Sequence, residues 1–407
     1  MATLYRCLGT LLLVVLSLST TAQQFLLEGK KKRDKVSFDL VRNLMIIPVY
    51  LNGEGPYDFI LDSGVGPMII TDSLLVEQFD TGKMSTYTLQ GAGEVIKIEA
   101  FYTNRIKAQI GKASIQHIPT VFLKDDPFQI SAYLGRPIHG ILGSTFFHSF
   151  LIKVNYKSKR LRFYSFSSRT RRKGTPVPID IHYRKPYVRA EITQDQEAAV
   201  PVLLLVDSGA SHALSLEALE EKPFPQPETT IPANLGIGLN GLVSGNIGRI
   251  DQLKLGSFKV QQVIASYPDY ADIGAKIDTP SRNGTMGAEL LTRFKVTYDY
   301  MDSLIYLKGT RDLRKPFDHD MSGLEIYVEY GDTNRYFISR VEPDSPAEQC
   351  GFRPEDEVLA VNLTSVSSLS LDEIYHLLKG GASREVIFEV KRDNERMYMV
   401  LTLKKRI

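Results

Sequence analysis

The chain has only two cysteines and no tryptophan in 407 residues. Cys7 immediately precedes an N-terminal apolar run, so removal of that whole segment leaves Cys350 alone and excludes an internal disulfide. A small bridge-stapled scaffold is thereby excluded, and the size of the core must replace cross-links. An excess of one charge is also missing. Forty-nine basic residues face 47 acidic ones, and the net charge of +2 gives no case for a nucleic-acid partner. The longest apolar stretch, Leu8 to Leu18, is too short to span a bilayer. The seven histidines include no His-Glu-x-x-His and no pair at evident ligand spacing, so neither a metal nor another cofactor is expected.

What is present begins at that run. Arg6, then Leu8 to Leu18, then Ser19-Thr20-Thr21-Ala22 has the order of a secretory signal peptide: basic start, apolar centre, small residues before a cut. Residues 1–22 are expected to be removed, leaving a secreted or periplasmic chain without a stable membrane span. The absence of disulfides favours a bacterial periplasm. Lys30-Lys31-Lys32-Arg33 reads as a solvated, frayed terminus, since so short a run holds little charge at physiological salt. With 43% hydrophobic and 24% charged residues, the remainder suits two or three soluble globular domains.

The dominant feature is an internal repeat. Phe59-Ile60-Leu61 leads into Asp62-Ser63-Gly64, and Leu203-Leu204-Leu205-Val206 leads into Asp207-Ser208-Gly209. Gly91-x-Gly93 follows Asp62 by the same 29 residues (91 − 62) that separate Gly236-x-Gly238 from Asp207 (236 − 207). Gly111 and Gly256 each lie 49 residues on, at 111 − 62 and 256 − 207. Ile141-Leu142-Gly143 then answers Thr285-Met286-Gly287, and Val154-Asn155-Tyr156 answers Val296-Thr297-Tyr298. One such strand-to-Asp turn is ordinary turn chemistry. Two in register over this length are one supersecondary unit used twice. Two units facing across a pseudo-twofold axis would bring Asp62 and Asp207 together.

This pattern resembles the unit of retropepsin-like and pepsin-like aspartic proteases, in the form where one chain carries both units. The resemblance covers roughly residues 36–310. It implies a mainly β fold of two pseudo-twofold-related lobes, 36–168 and 176–310, joined by an exposed basic connection near Arg169 to Gly174. It implies Asp62 and Asp207 as the catalytic pair, Ser63, Gly64, Ser208 and Gly209 as its support, and hairpins at Gly91/Gly93 and Gly236/Gly238 as flaps over a bound peptide. Val65 and Gly66 depart from the family's small and hydroxylated preferences at those places. His212, five residues after Asp207, reads as structural.

Beyond about Asp320 the repeat stops. Ser345-Pro346-Ala347-Glu348 and Ser370-Leu371-Asp372-Glu373 are capping boxes, and Gly351 and Gly380 close the helices they open. Residues 321–407 resemble a PDZ domain of the bacterial periplasmic type, a small β-barrel with two helices. The resemblance implies that Gly323-Leu324-Glu325-Ile326 forms a carboxylate-binding loop holding a peptide C-terminus while the peptide adds a strand.

Together these readings give an aspartic endopeptidase acting on peptides or proteins through two carboxyls and an activated water, with a PDZ domain for peptide ends. The alternative, prompted by Val65 and Gly66, is a catalytically degenerate protein that holds peptides uncut.

Overall fold

The computed structural model describes residues 24–79, 84–90, 97–126, 128–238, 241–271, 282–331 and 334–407. The expected signal peptide and the glycines Gly91 and Gly93 lie outside them. The chain is mainly β, as the alternating apolar patterns imply.

The repeat is visible as identical connectivity. In the first half the strand Glu54–Leu61 runs parallel to Gly140–Leu142, which is antiparallel to Met68–Ile70, itself parallel to Ala113–Leu123. In the second half Val200–Val206 is parallel to Arg282–Met286, which is antiparallel to Leu214–Leu216, itself parallel to Phe258–Pro268. In each half the chain crosses its own start, so the apolar strand before the Asp-Ser-Gly turn is flanked closely on one side. Asp62 N–H donates to Leu142 O and Asp207 N–H to Met286 O, both at 3.0 Å.

The halves share one sheet. Leu151–Asn155 pairs antiparallel with Phe294–Asp299, and Val154 lies opposite Val296, the residue it matched in the repeat. The sheet continues through Arg160–Tyr164 to an edge strand, Arg33–Ser37, and on the other side through Leu304–Gly309 into the second lobe. Beneath it lies an aromatic core. Phe146 meets Phe25 and Phe163 edge-on at 5.2 Å, and Phe147 meets Tyr298 edge-on at 5.0 Å. One buried cluster runs through both halves, from Met45 and Phe59 to Leu253 and Leu307.

The N-terminal segment departs from the expected frayed terminus. Phe25 is 1% exposed and its N–H donates to Ser149 Oγ at 3.0 Å. Arg33, Lys35 and Ser37 point to solvent while Asp34 and Val36 turn inward. Lys30 to Lys32 precede the strand and are exposed, while Arg33 and Lys35 form its outer face, where charge also discourages further pairing.

The C-terminal domain has its own core, with Ile326, Ile338, Leu371, Ile374, Leu378 and Phe388 buried. Ser345 caps helix Pro346–Cys350, which Gly351 closes at φ 87°. Helix Leu371–Leu378 carries the full Ser370/Glu373 capping box, and Gly380 follows its C-cap, Lys379. Cys350 is half-buried, its Sγ 3.3 Å from Val400 O. The linker is anchored: Arg293 lies 3.4 Å over the buried Phe317 ring and donates to the carbonyls of Asp312, Lys315 and Pro316. No helix among the described residues is long and apolar enough to cross a membrane.

Candidate active site

Each Asp-Ser-Gly turn emerges from a buried strand at the axis between the halves, and the turns lock reciprocally. Ser63 N–H donates to Ser208 Oγ and Ser208 N–H to Ser63 Oγ, both at 3.0 Å. Each hydroxyl then donates across the axis, Ser63 to Val206 O at 2.7 Å and Ser208 to Leu61 O at 2.9 Å. All four groups are buried, so each bond is worth more than its net value suggests: breaking one strands a desolvated partner.

The carboxylates lie across the same axis. Asp62 Oδ1 accepts the Gly64 N–H at 2.6 Å, and Asp207 Oδ1 accepts the Gly209 N–H at 2.8 Å. The opposite glycine sets the spacing. A Cβ on Gly64 would lie 2.6 Å from Asp207 Oδ2, and one on Gly209 would overlap the Asp62 carboxylate. Only a hydrogen in place of a side chain lets each carboxyl rest on its partner's turn. Behind them the apolar-apolar-Gly turns press equally close. A Cβ on Gly143 would meet the carbonyls of Pro67, Gly66 and Val65 at 2.5–2.6 Å, and one on Gly287 would overlap His212 O.

Asp62 is 6% exposed. Its pKa is pushed well above the ordinary carboxylate range, first by burial, then by the charge of Asp207 and a hydrogen bond with it; the Gly64 N–H and Lys185 oppose the rise. Two carboxyls in hydrogen-bond contact cannot both ionise cheaply. Below them Tyr300, missed in the sequence, stacks on Phe147 at 5.8 Å and meets His148 edge-on at 5.0 Å. Burial, then the charges of Asp62 and Asp207, hold its phenol well above its usual value.

The other sequence candidates fall as follows. The strands Ser85–Gln90 and Lys97–Ile110 pair as a hairpin leading towards Gly91 and Gly93. Gly236 and Gly238 end the strand Thr230–Gly238, which pairs with Gly241–Leu255; Gly236 takes φ 130° at a bulge. Asn234 of that hairpin donates to Glu325 Oε2 at 2.9 Å, a link to the C-terminal domain not visible in the sequence. His212 contributes its carbonyl to the Glu289 N–H, and burial lowers its ring pKa. His139 Nδ1 accepts the Asp58 N–H at 3.1 Å. Among the described residues no group of three or more His, Cys, Asp or Glu is arranged to hold a metal.

At the expected carboxylate loop the backbone donors are engaged within the domain. Gly323 N–H donates to Asp320 Oδ2 at 2.6 Å, Leu324 N–H to Ser322 Oγ at 3.0 Å and Ile326 N–H to Tyr375 Oη at 2.8 Å. Burial raises the Asp320 pKa to about 6. Asp320 and Tyr375 carried no sequence signal, because their partners are set by the tertiary fold.

A duplicated β framework whose two Asp-Ser-Gly turns interlock at a shared axis defines the aspartyl-protease class of fold. The aspartyl protease family model matches residues 47–146 and 188–290, one stretch in each half. The PDZ domain model matches residues 337–392. The chain thus carries an aspartyl protease domain in two halves, followed by a PDZ domain.

Proposed function

We propose that this is a secreted or periplasmic aspartic endopeptidase that cleaves peptide bonds through Asp62 and Asp207, with the PDZ domain taking peptide C-termini. The observation that carries this reading is the mutual seating of each carboxyl on the other turn's glycine. It supplies one acid and one base within reach of the same scissile carbonyl.

The chemistry balances with one shared proton. The ionised carboxylate takes a proton from water as the water oxygen bonds to the carbonyl carbon, and the protonated carboxyl gives its proton to the carbonyl oxygen. In the second step the C–N bond breaks, a proton passes to the leaving nitrogen, and a diol hydroxyl returns one to the pair. Because the carboxyls titrate as a unit, neither Asp is assigned a fixed role. The hairpins around Gly91/Gly93 and Gly236/Gly238 would close over the peptide and exclude water.

Asp62→Asn and Asp207→Asn, assayed on a peptide library, test the reading. Each is expected to lose at least about 10³-fold in kcat/KM, within the usual range for acid–base groups. Unchanged cleavage by both would end it. Val65 and Gly66 favour a second reading, in which the cleft holds peptides uncut. Sustained turnover by clean wild-type protein, abolished in both variants, removes that alternative. Export is tested by N-terminal sequencing of the mature chain, which should begin at Gln23.

A further inference from the structure

A peptide entering a PDZ groove adds a strand to an open sheet edge beside a helix. Here that edge is Leu324–Glu329, whose sheet partner, Arg335–Val341, lies on its other side. The facing helix is Leu371–Leu378. Among the described residues, this passage is closed by the chain itself.

Tyr375, on the helix, takes both backbone groups of Ile326. Its hydroxyl accepts the Ile326 N–H at 2.8 Å and donates to Ile326 O at 3.1 Å. These are a donor and acceptor on the groove edge. The Tyr375 ring in turn forms one side of a sandwich. The Arg42 guanidinium lies 4.0 Å from its centroid and 3.8 Å from that of Tyr133. Arg42 N–H donates to Asp372 Oδ1 at 3.0 Å, and Arg42 Nη1 donates to Tyr133 O at 3.1 Å. The helix Ile130–Leu134 packs on the edge strand, Tyr330 Oη donates to Ser131 O at 2.9 Å, and Leu371 lies against Gly135. A guanidinium held between two aromatic faces is attracted to both rings.

The same residues reach the active site. Tyr133 Oη lies 3.3 Å from Ser211 Oγ, and Asn43, next to Arg42, donates to Ser211 O at 3.1 Å. Ser211 is four residues beyond Asp207. The docking contact and the turn carrying the second carboxylate therefore share Tyr133 and the Arg42-Asn43 turn.

We propose that docking of the PDZ domain on the protease halves and binding of a peptide C-terminus in its groove are mutually exclusive, with Arg42 as the latch. The inference rests on the reading that this PDZ domain takes peptide ends. A strand added at Ile326 must displace the Tyr375 hydroxyl and pull its ring from Arg42. That frees Tyr133 and Asn43, and with them the backbone at Ser211. Peptide occupancy is in this way transmitted to the turn that holds Asp207.

The full chain carrying Asp62→Asn, which keeps the probes from being cut, is titrated with an N-terminally fluorescein-labelled peptide library ending in a free carboxylate. The amidated counterparts serve as control. Adding Arg42→Ala is expected to tighten binding at least about tenfold, because a groove open one time in ten weakens the apparent affinity by that factor. Tyr133→Ala removes the other ring and should act alike, which guards against misfolding of either variant. Amidation should abolish the gain. Hydrogen exchange over residues 208–213 should accelerate in both variants. Equal affinity with and without the latch overturns the proposal while leaving peptide binding intact. No binding by any of the chains overturns it together with the peptide-end reading. Tighter binding without a change in exchange overturns the transmission to Asp207.

Discussion

Ser63 and Ser208 lie 145 residues apart and exchange identical hydrogen bonds, each N–H donating to the other's Oγ at 3.0 Å. Neither turn is complete without the other. The serine hydroxyls satisfy backbone groups of the opposite half, and each carboxylate accepts from the glycine of its own turn.

Ser63→Ala or Ser208→Ala should therefore destabilise the fold as well as the site. Each removes a hydroxyl that donates once and accepts once in a buried setting, at a cost of about 1–3 kcal/mol per stranded group. Thermal unfolding should shift down by several degrees for either. The double variant should depart from the sum of the two single losses, because the residues contact each other in one hydrogen-bond network. Strict additivity in a double-mutant cycle would contradict reciprocal locking.

Asp62 makes stability depend on pH with a definite sign. Its folded pKa is raised, so the folded state binds the proton more tightly than the unfolded chain does. The resulting stability is fully present below the unfolded value of about 4 and declines as pH rises through the folded value. Asp62→Asn should flatten that decline in denaturant titrations run from acid to neutral pH. Under the proposed mechanism the same deprotonation removes the proton the chemistry needs, so kcat/KM should fall along an alkaline limb. A pH-independent kcat/KM over that interval is the contrary result.

Asp320 supplies a second, independent pH response in the PDZ domain. Desolvation lifts its pKa from 3.8 to about 6. Its contribution is full below 3.8 and is lost as pH rises through about 6. Asp320→Asn removes one acceptor for the Gly323 and Ser322 N–H groups and lowers the baseline, yet it should abolish this slope. Melting curves between acid and neutral pH separate the two effects.

Gly64→Ala and Gly209→Ala place a methyl group against the facing carboxylate. The turns can yield only by moving the carboxyls apart, which undoes their proton sharing. Each variant should lose at least about tenfold in kcat, with a smaller change in KM, since misplacement of reacting groups by an ångström costs about that much or more. A variant with unchanged kcat would show that the carboxyl spacing is not set by these glycines.

Two parts of this fold were legible: the part written twice, and the C-terminal domain with its helix caps. Asp62, Gly143, Asp207 and Gly287 could be matched because each half needs a carboxylate at a strand end and a residue without a side chain behind it. Pairing of Val154 with Val296 follows from that register. The N-terminal segment was misread because Lys30 to Arg33 was weighed as charge, whereas the alternation of Arg33, Lys35 and Ser37 against Asp34 and Val36 is a strand signal. Phe25 alone, packing on Phe146, gave no periodicity to detect. Tyr300 was overlooked because a lone tyrosine after a strand has no distinguishing spacing. Docking of the PDZ domain was beyond reach for a different reason. Arg42 and Asp372 are separated by 330 residues, and single contacts at such distance leave no local pattern.

The shared sheet, with Leu151–Asn155 zipped to Phe294–Asp299, has a consequence for how the molecule could be assembled. Because backbone ladders and interlocked serines join the halves, covalent continuity through Arg169–Gly174 is dispensable once they have met. Coexpressed fragments divided in that connection should find each other and reconstitute one body, as two gene products would in a heterodimer.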